Sequence, residues 1–141
     1  GLYGMKTVAF RYTNVYGERA RHVGTYAPAV SKFLKMKNEG QPLTIYGDGE
    51  QRRDFIHVSD VVDANALISF QELDNWGEMY NIGYGENWSI KEIANAIDDN
   101  QVFLSGRPGE MRETLADIRK AKTELTWKPK VNILDWIRTQ L

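Results

Sequence analysis

Residues 43–60 read LTIYGDGEQRRDFIHVSD, a pattern that predicts two short strands joined by a tight turn. The apolar run at 43–46 leads into a Gly-Asp-Gly turn at 47–49, where glycine permits positive φ angles and lets a ligand approach the backbone closely. Arg52 and Arg53 follow the turn, and a guanidinium in such a place can offer a planar fork of donors to phosphate or carboxylate oxygens. On spacing alone, a surface hairpin with solvated charges is an equal alternative.

The composition excludes several classes of protein before any motif is considered. The chain has 141 residues, 26% of them charged, a formal net charge of −1 and no cysteine. A nearly neutral chain has no global attraction to nucleic acid or to an anionic membrane, and a chain without cysteine has neither disulfides nor thiolate metal sites. No apolar run approaches the length of a membrane span, and no signal peptide is visible, so the default prediction is a cytoplasmic protein without a metal site, a nucleic-acid partner or a membrane partner.

The sequence of the central stretch, residues 43–60, resembles the signature of the NAD-dependent nucleotide-sugar epimerase/dehydratase family, the extended short-chain dehydrogenases. The turn is YGDG at 46–49, the arginine opens RDFIHV at 53–58, and the start of the following helix is DV at 60–61. All three segments fall at the spacing that the family shows. Further family-like segments extend the resemblance over essentially the whole chain: RYTNVYG at 11–17, YNIG at 80–83, RPGE at 107–110 and WKP at 127–129.

This resemblance implies an α/β fold, namely the C-terminal portion of a Rossmann-type extended short-chain dehydrogenase. Residues 1–17 would be a remnant strand and strand end of the Rossmann domain. Residues 18–141 would be a small mixed α/β domain that binds a nucleotide sugar. The residue patterns themselves predict about five helices, the first at 25–38 from its hydrophobic spacing. Ser89 and Glu92 predict a capping box, and Asn132 is expected to begin the final helix. We expect the apolar strand at 7–10 to be an orphan of a larger parallel sheet, either frayed or paired with a second copy of the chain in a homodimer.

The family also implies roles for individual residues. Tyr12 would lie beside the nicotinamide of NAD, and Asn14 would bond the substrate's phosphates or nearby atoms. Arg53 and Arg107 would converge on the diphosphate, and Glu110 would bond the ribose hydroxyls. The remaining substrate-binding candidates border the nucleobase: Thr44 and Tyr46.

Four of these residues also have a simpler interpretation. Asn14 would serve as a turn residue at a strand end, and Arg107 as an exposed turn residue. Thr44 and Tyr46 would contribute plain strand packing. The lysines at 32, 35 and 37 are expected on a solvated helix face, and Lys35 in particular should play no part in binding.

Catalytic residues are not assigned. His57 lies between apolar residues and is expected to be a core histidine, Asp54 is expected to be structural and to orient an arginine, and Ser59 or Asp60 is expected to cap the following helix. The chain contains neither the family's Tyr-x-x-x-Lys pair nor its glycine-rich cofactor turn. We therefore expect a truncated chain that binds the nucleotide diphosphate of a UDP-sugar and is inactive alone, with NAD belonging to the full-length enzyme. The alternative is a stand-alone nucleotide-sugar-binding module without catalysis.

Overall fold

The structure, a computed structural model, describes residues 4–22, 24, 27–73 and 76–141. These residues form eight short strands and five helices, which confirms the predicted mixed α/β architecture with about five helices. The elements in chain order are β1 (Ala9–Tyr12), β2 (Asn14–Tyr16), α1 (Ala29–Asn38), β3 (Leu43–Tyr46), β4 (Arg52–Arg53), β5 (Phe55–His57), α2 (Val58–Phe70), β6 (Met79–Ile82), β7 (Trp88–Ser89), α3 (Ile90–Ile97), β8 (Gln101–Leu104), α4 (Arg119–Glu124) and α5 (Ile133–Thr139).

The first helix is shorter than predicted. Its N-cap is Pro28 and it ends at Asn38, so the predicted start at residue 25 is not reproduced by the described residues. Residues 25 and 26 lie outside the described part of the chain, as do residues 1–3 of the predicted Rossmann remnant.

The strands pair two by two, in parallel for β1 with β6, β2 with β5 and β3 with β8, and antiparallel for β4 with β7. The prediction of an orphan first strand is therefore wrong, because β1 lies in register with β6 of the same chain, with Phe10 opposite Tyr80. The order of the elements along the chain did not indicate this pairing, since the two strands are separated by α1, α2 and four further strands. The other edge of β1 has no partner strand in the described residues, and a homodimer through it stays a prediction.

Two groups of buried side chains hold these small sheets together. One surrounds Phe33, Ile45 and Ile93, between α1, β3 and α3, and includes Trp136 of α5. The other joins α2, β6 and α4 through Ala64, Tyr80 and Leu125. The described residues include no helix with the length and apolar character that crossing a bilayer requires.

The helix that follows β5 begins earlier than predicted. His57, not Ser59 or Asp60, caps α2, because its Nδ1 accepts a hydrogen bond from the Ser59 amide at 3.2 Å. Asp60 lies inside the helix and is buried, and its carboxylate accepts from the amides of Lys130 and Val131. His57 itself is buried against Trp136, which confirms the predicted core histidine.

The predicted capping box at α3 is present. The Ser89 hydroxyl accepts from the Glu92 amide at 3.0 Å, and the Glu92 carboxylate accepts from the Ser89 amide at 2.6 Å. The second of these bonds, from the Ser89 backbone, lowers the pKa of Glu92. Two of the amides that an N-terminal helix turn leaves without partners are thus satisfied.

Replacing Ser89 by alanine should lower the free energy of unfolding by about 1 kcal/mol, because the Glu92 amide loses its acceptor. Urea unfolding followed by circular dichroism measures the difference, with Ser69→Ala on the exposed face of α2 as the matched control. The Glu92 part of the stabilisation should be full above the carboxyl's unfolded pKa and lost as the pH falls through its lowered folded pKa, that is, below about pH 4. Equal unfolding free energies for Ser89→Ala and Ser69→Ala would contradict this account.

Candidate functional site

A cleft of 490 Å³ opens between α1, the exposed face of β3 and the turn after β8. We call it the Arg107 cleft and define it by six of its lining residues: Lys32, Lys35, Thr44, Tyr46, Arg107 and Glu110. Thr44 and Tyr46 share one face of β3 because side chains alternate along a strand, and the opposite face buries Leu43 and Ile45 in the core. Four of the predicted substrate-binding residues therefore meet at one place: Thr44, Tyr46, Arg107 and Glu110.

The Gly-Asp-Gly turn closes one end of β3 in the predicted manner. Gly47 and Gly49 have φ values of 69° and 75°, in the left-handed region that favours glycine. A Cβ at Gly49 would lie 3.0 Å from side-chain carbons of both Ile45 and Lys91, so the turn packs tightly against the start of α3. Glycine is needed here for conformation at both positions and for space at Gly49.

The Arg107 guanidinium lies over an aromatic ring. Its guanidinium carbon is 3.8 Å from the centroid of the Tyr46 ring. The carbonyl of Arg107 accepts from the Glu110 amide at 3.3 Å, so Arg107 opens a tight turn that ends at Glu110. One short turn thus brings a cation and a carboxylate to the same cleft.

Arg53 does not line the Arg107 cleft, but its side chain contacts Glu110, which does. Its side chain is 15% exposed, one terminal nitrogen donates to the Arg52 carbonyl at 2.8 Å, and the other lies 3.4 Å from the Glu110 carboxylate. Glu110 therefore contacts Arg53 through its side chain and Arg107 through its backbone amide. Arg52, the residue before Arg53, instead donates to Asn87 and Glu92.

Two predicted site residues are not brought to the Arg107 cleft. The side-chain amide of Asn14 donates to the Asp54 carbonyl at 2.8 Å, which is the bonding of a structural residue. Tyr12, assigned to the cofactor, ends β1 with its side chain 46% exposed and its hydroxyl bonded to Asn65. The ligand roles of both residues stay predictions.

Asp54 holds the segments around Arg53 together. It is completely buried, and its carboxylate accepts from the amides of Tyr84, Gly85 and Ala116 and from the Thr13 hydroxyl. The expectation that Asp54 is structural is met, but the expectation that it orients an arginine is wrong, because its partners are three backbone amides and a hydroxyl.

Two lysines that were not predicted as site residues also line the cleft. Lys32 and Lys35 reach it from α1. The Lys35 side chain is 34% exposed, and the prediction that Lys35 plays no part in binding stays a prediction. Lys35 also pairs with Glu39 one helical turn later. Their i, i+3 spacing places the lysines on one helix face, but a helix has two polar borders, and the sequence did not show which one faces β3.

Other charges near the turn are already compensated. Arg112 donates to Asp48 at 2.8 Å, and this bond is the main reason that the pKa of Asp48 falls to about 2. The pair is well exposed to solvent and adds little to stability. Among the described residues, no group of three acidic or histidine side chains is arranged to hold a metal ion.

Comparison with known proteins gives a consistent result. The sequence model described as "NAD dependent epimerase/dehydratase family" matches residues 1–83. A UDP-glucuronate 4-epimerase of Thermodesulfobacterium geofontis is 31% identical over 97% of this chain. The match covers 42% of that relative's own length.

Solved structures show the same partial overlap. A UDP-glucose 4-epimerase of Thermotoga maritima, determined with UDP-glucose, superposes with a TM-score of 0.88 and 33% identity, covering 98% of this chain and 45% of that one. A UDP-glucuronic acid 4-epimerase of Bacillus cereus, in complex with UDP-glucuronic acid and NAD, gives 0.80 and 34%, covering 94% and 43%. The chain thus spans less than half the length of the relatives it matches.

Proposed function

The chain belongs to the NAD dependent epimerase/dehydratase family, and from this premise we propose that it is the part of such an enzyme that binds the nucleotide diphosphate of a UDP-sugar. The observation that carries the proposal is the Arg107 cleft, in which a cation, a carboxylate and two polar strand residues meet. Two longer proteins that contain this fold were determined with UDP-glucose and with UDP-glucuronic acid, which supports UDP as the nucleotide.

The charges of the cleft suit an anion with two phosphates. Arg107 supplies guanidinium N–H donors in the cleft, and Arg53 supplies a second guanidinium next to Glu110. Lys32 and Lys35 add positive charge from the helix side. Charge-assisted hydrogen bonds of this kind are about twice as strong as neutral ones, so the diphosphate would contribute most of the binding energy.

Glu110 has a separate part in this arrangement. A carboxylate accepts hydrogen bonds and repels phosphate, so it suits the ribose hydroxyls rather than the diphosphate. Its contact with Arg53 reduces its own repulsion of the phosphates nearby. The nucleoside would therefore lie on the Glu110 side, and the sugar would extend out of the cleft.

NAD is the cofactor of this family, and relatives were determined with it. Tyr12, the one residue assigned to the cofactor, is half exposed and does not line the Arg107 cleft, so that cleft is assigned to the substrate alone. The proposal is therefore confined to substrate binding. In a family enzyme, binding energy spent on the diphosphate holds the sugar in a reactive orientation.

The proposal is tested with three ligands that differ by phosphate alone. UDP should bind at least about tenfold more tightly than UMP, and UMP more tightly than uridine, because each lost phosphate removes charge-assisted bonds of about 1.5–3 kcal/mol. Calorimetric titration at low and at moderate salt should show that added salt weakens UDP binding and leaves uridine binding almost unchanged. Equal affinities for UDP and uridine would show that the site does not recognise a diphosphate.

A further inference from the structure

We propose that Tyr46 serves the diphosphate rather than the nucleobase, by holding the Arg107 guanidinium with its in-plane donors free for phosphate oxygens. This inference rests on the proposed function and assigns to that site a positioning residue that acts through another side chain. It replaces the prediction that Tyr46 is part of a base pocket.

The face of the Arg107 guanidinium and its N–H donors have different roles in this arrangement. The guanidinium carbon lies over the Tyr46 ring, 3.8 Å from the centroid, and at this distance we infer that one planar face of the guanidinium rests on the ring. Stacking uses the face of a guanidinium, whereas its N–H donors point outward in its plane. A phosphate at the rim can therefore receive two parallel hydrogen bonds without displacing Arg107 from the ring.

The backbone places the two residues side by side. Tyr46 ends β3 opposite Leu104 of β8, and the Gly47 amide donates to the Leu104 carbonyl at 2.9 Å. Gly47 and Gly106 then run in contact, since a Cβ on Gly47 would lie 3.7 Å from the Gly106 Cα. Arg107, the next residue, emerges beside the ring.

The partner of Arg107 also distinguishes it from other arginines of the chain. Five of them pair with a carboxylate within 4.0 Å, namely Arg52, Arg53, Arg112, Arg119 and Arg138. Arg107 forms no such ion pair within the part of the chain that the structure describes. An aromatic ring orients a guanidinium without neutralising it, so the full charge of Arg107 remains available to an anion.

The stack has a consequence for the nucleobase. The ring face that Arg107 covers cannot stack on a base at the same time. Removing the ring should therefore weaken ligands that carry phosphates and spare a nucleoside, which is the reverse of what a base-pocket residue would do.

The test is a double-mutant cycle with two ligands, UDP and uridine. Tyr46→Leu should weaken UDP binding by about threefold to twentyfold and change uridine binding by less than about twofold. Tyr46→Phe, which keeps the ring, should bind UDP within about twofold of the wild type. In an Arg107→Ala background, Tyr46→Leu should have no further effect on UDP, because the residue it positions is gone.

A second measurement addresses the stack itself and needs no ligand. The side-chain protons of Arg107 should resonate upfield in NMR spectra of the wild type and of Tyr46→Phe, because the ring current shields them. The upfield shift should disappear in Tyr46→Leu, with circular dichroism showing whether that variant is folded. Absence of the shift in the folded wild type would overturn the inference irrespective of how any variant folds.

The binding outcomes separate the inference from the proposed function. Equal weakening of UDP and uridine by Tyr46→Leu, or an effect that persists without Arg107, would overturn the inference and return Tyr46 to the base pocket. If Arg107→Ala weakens UDP but Tyr46→Leu does not, the inference alone fails. If the wild type does not bind UDP, the proposed function fails and the inference falls with it.

Discussion

Replacing Arg53 and Arg107 together by alanine is expected to weaken UDP binding by about a hundredfold to ten-thousandfold. Each guanidinium would make charge-assisted bonds worth roughly 1.5–3 kcal/mol, and each 1.4 kcal/mol is a factor of about ten. The single variants should each lose about tenfold to a hundredfold. Calorimetric titration of UDP into the wild type, the two single variants and the double variant measures these losses.

The two single variants should not be equivalent. Arg107→Ala removes a cation and leaves its neighbours as they are. Arg53→Ala also frees Glu110 from its 3.4 Å contact, so that an uncompensated carboxylate faces the diphosphate. We therefore expect the larger loss from Arg53→Ala, with part of it recovered when Glu110→Gln is added.

Arg119→Ala is the matched control for both arginines. It removes the same charge from a side chain that is 87% exposed, paired with Asp117 and absent from the Arg107 cleft. Its UDP affinity should lie within about twofold of that of the wild type. Similar affinities for Arg119→Ala and the double variant would contradict the assignment of the two arginines.

Asp54→Ala should be the most destabilising single substitution that we describe, lowering the free energy of unfolding by at least about 3 kcal/mol. The carboxylate is completely buried and accepts from the amides of Tyr84, Gly85 and Ala116. Alanine would leave these three partly buried donors without acceptors, and each such donor costs about 1–3 kcal/mol when it is removed from water. Because domains are stable by about 5–15 kcal/mol, this loss threatens folding itself.

Two further variants make the Asp54 result interpretable. Asp54→Asn keeps one carbonyl oxygen as an acceptor and should lose less than the alanine variant. Asp135→Ala removes a carboxylate that is 72% exposed and should change the unfolding free energy by less than about 0.5 kcal/mol. Urea unfolding gives all three values, and an Asp54→Ala loss within 1 kcal/mol of the Asp135→Ala loss would refute the structural role of Asp54.

Local sequence signals predicted much of the fold. The strand and turn at 43–49, the capping box at Ser89 and the final helix after Asn132 all appear where the sequence placed them. Each depends on neighbours within a few residues, such as a glycine with positive φ or a side chain that caps the next turn. Arg107 and Glu110 could be placed in one turn for the same reason.

Relations between distant segments were not readable. The pairing of β1 with β6 joins residues seventy positions apart, and no local pattern specifies which strands become neighbours. The same limit explains why the partners of Asp54 were not predicted, because its carboxylate accepts hydrogen bonds from the distant residues Tyr84 and Ala116. It also explains why the position of Lys35 beside the cleft was not predicted, because the side of α1 that faces the cleft is set by packing against β3 and α3.

The most direct measurement of the central claim is a crystal structure of this chain with UDP. Our account predicts the diphosphate in the Arg107 cleft, with phosphate oxygens about 2.7–3.0 Å from guanidinium nitrogens of both Arg53 and Arg107, and ribose hydroxyls against Glu110. A diphosphate that touches neither arginine, or UDP seated elsewhere, such as the surface cavity beside Phe70 and Trp127, would contradict it.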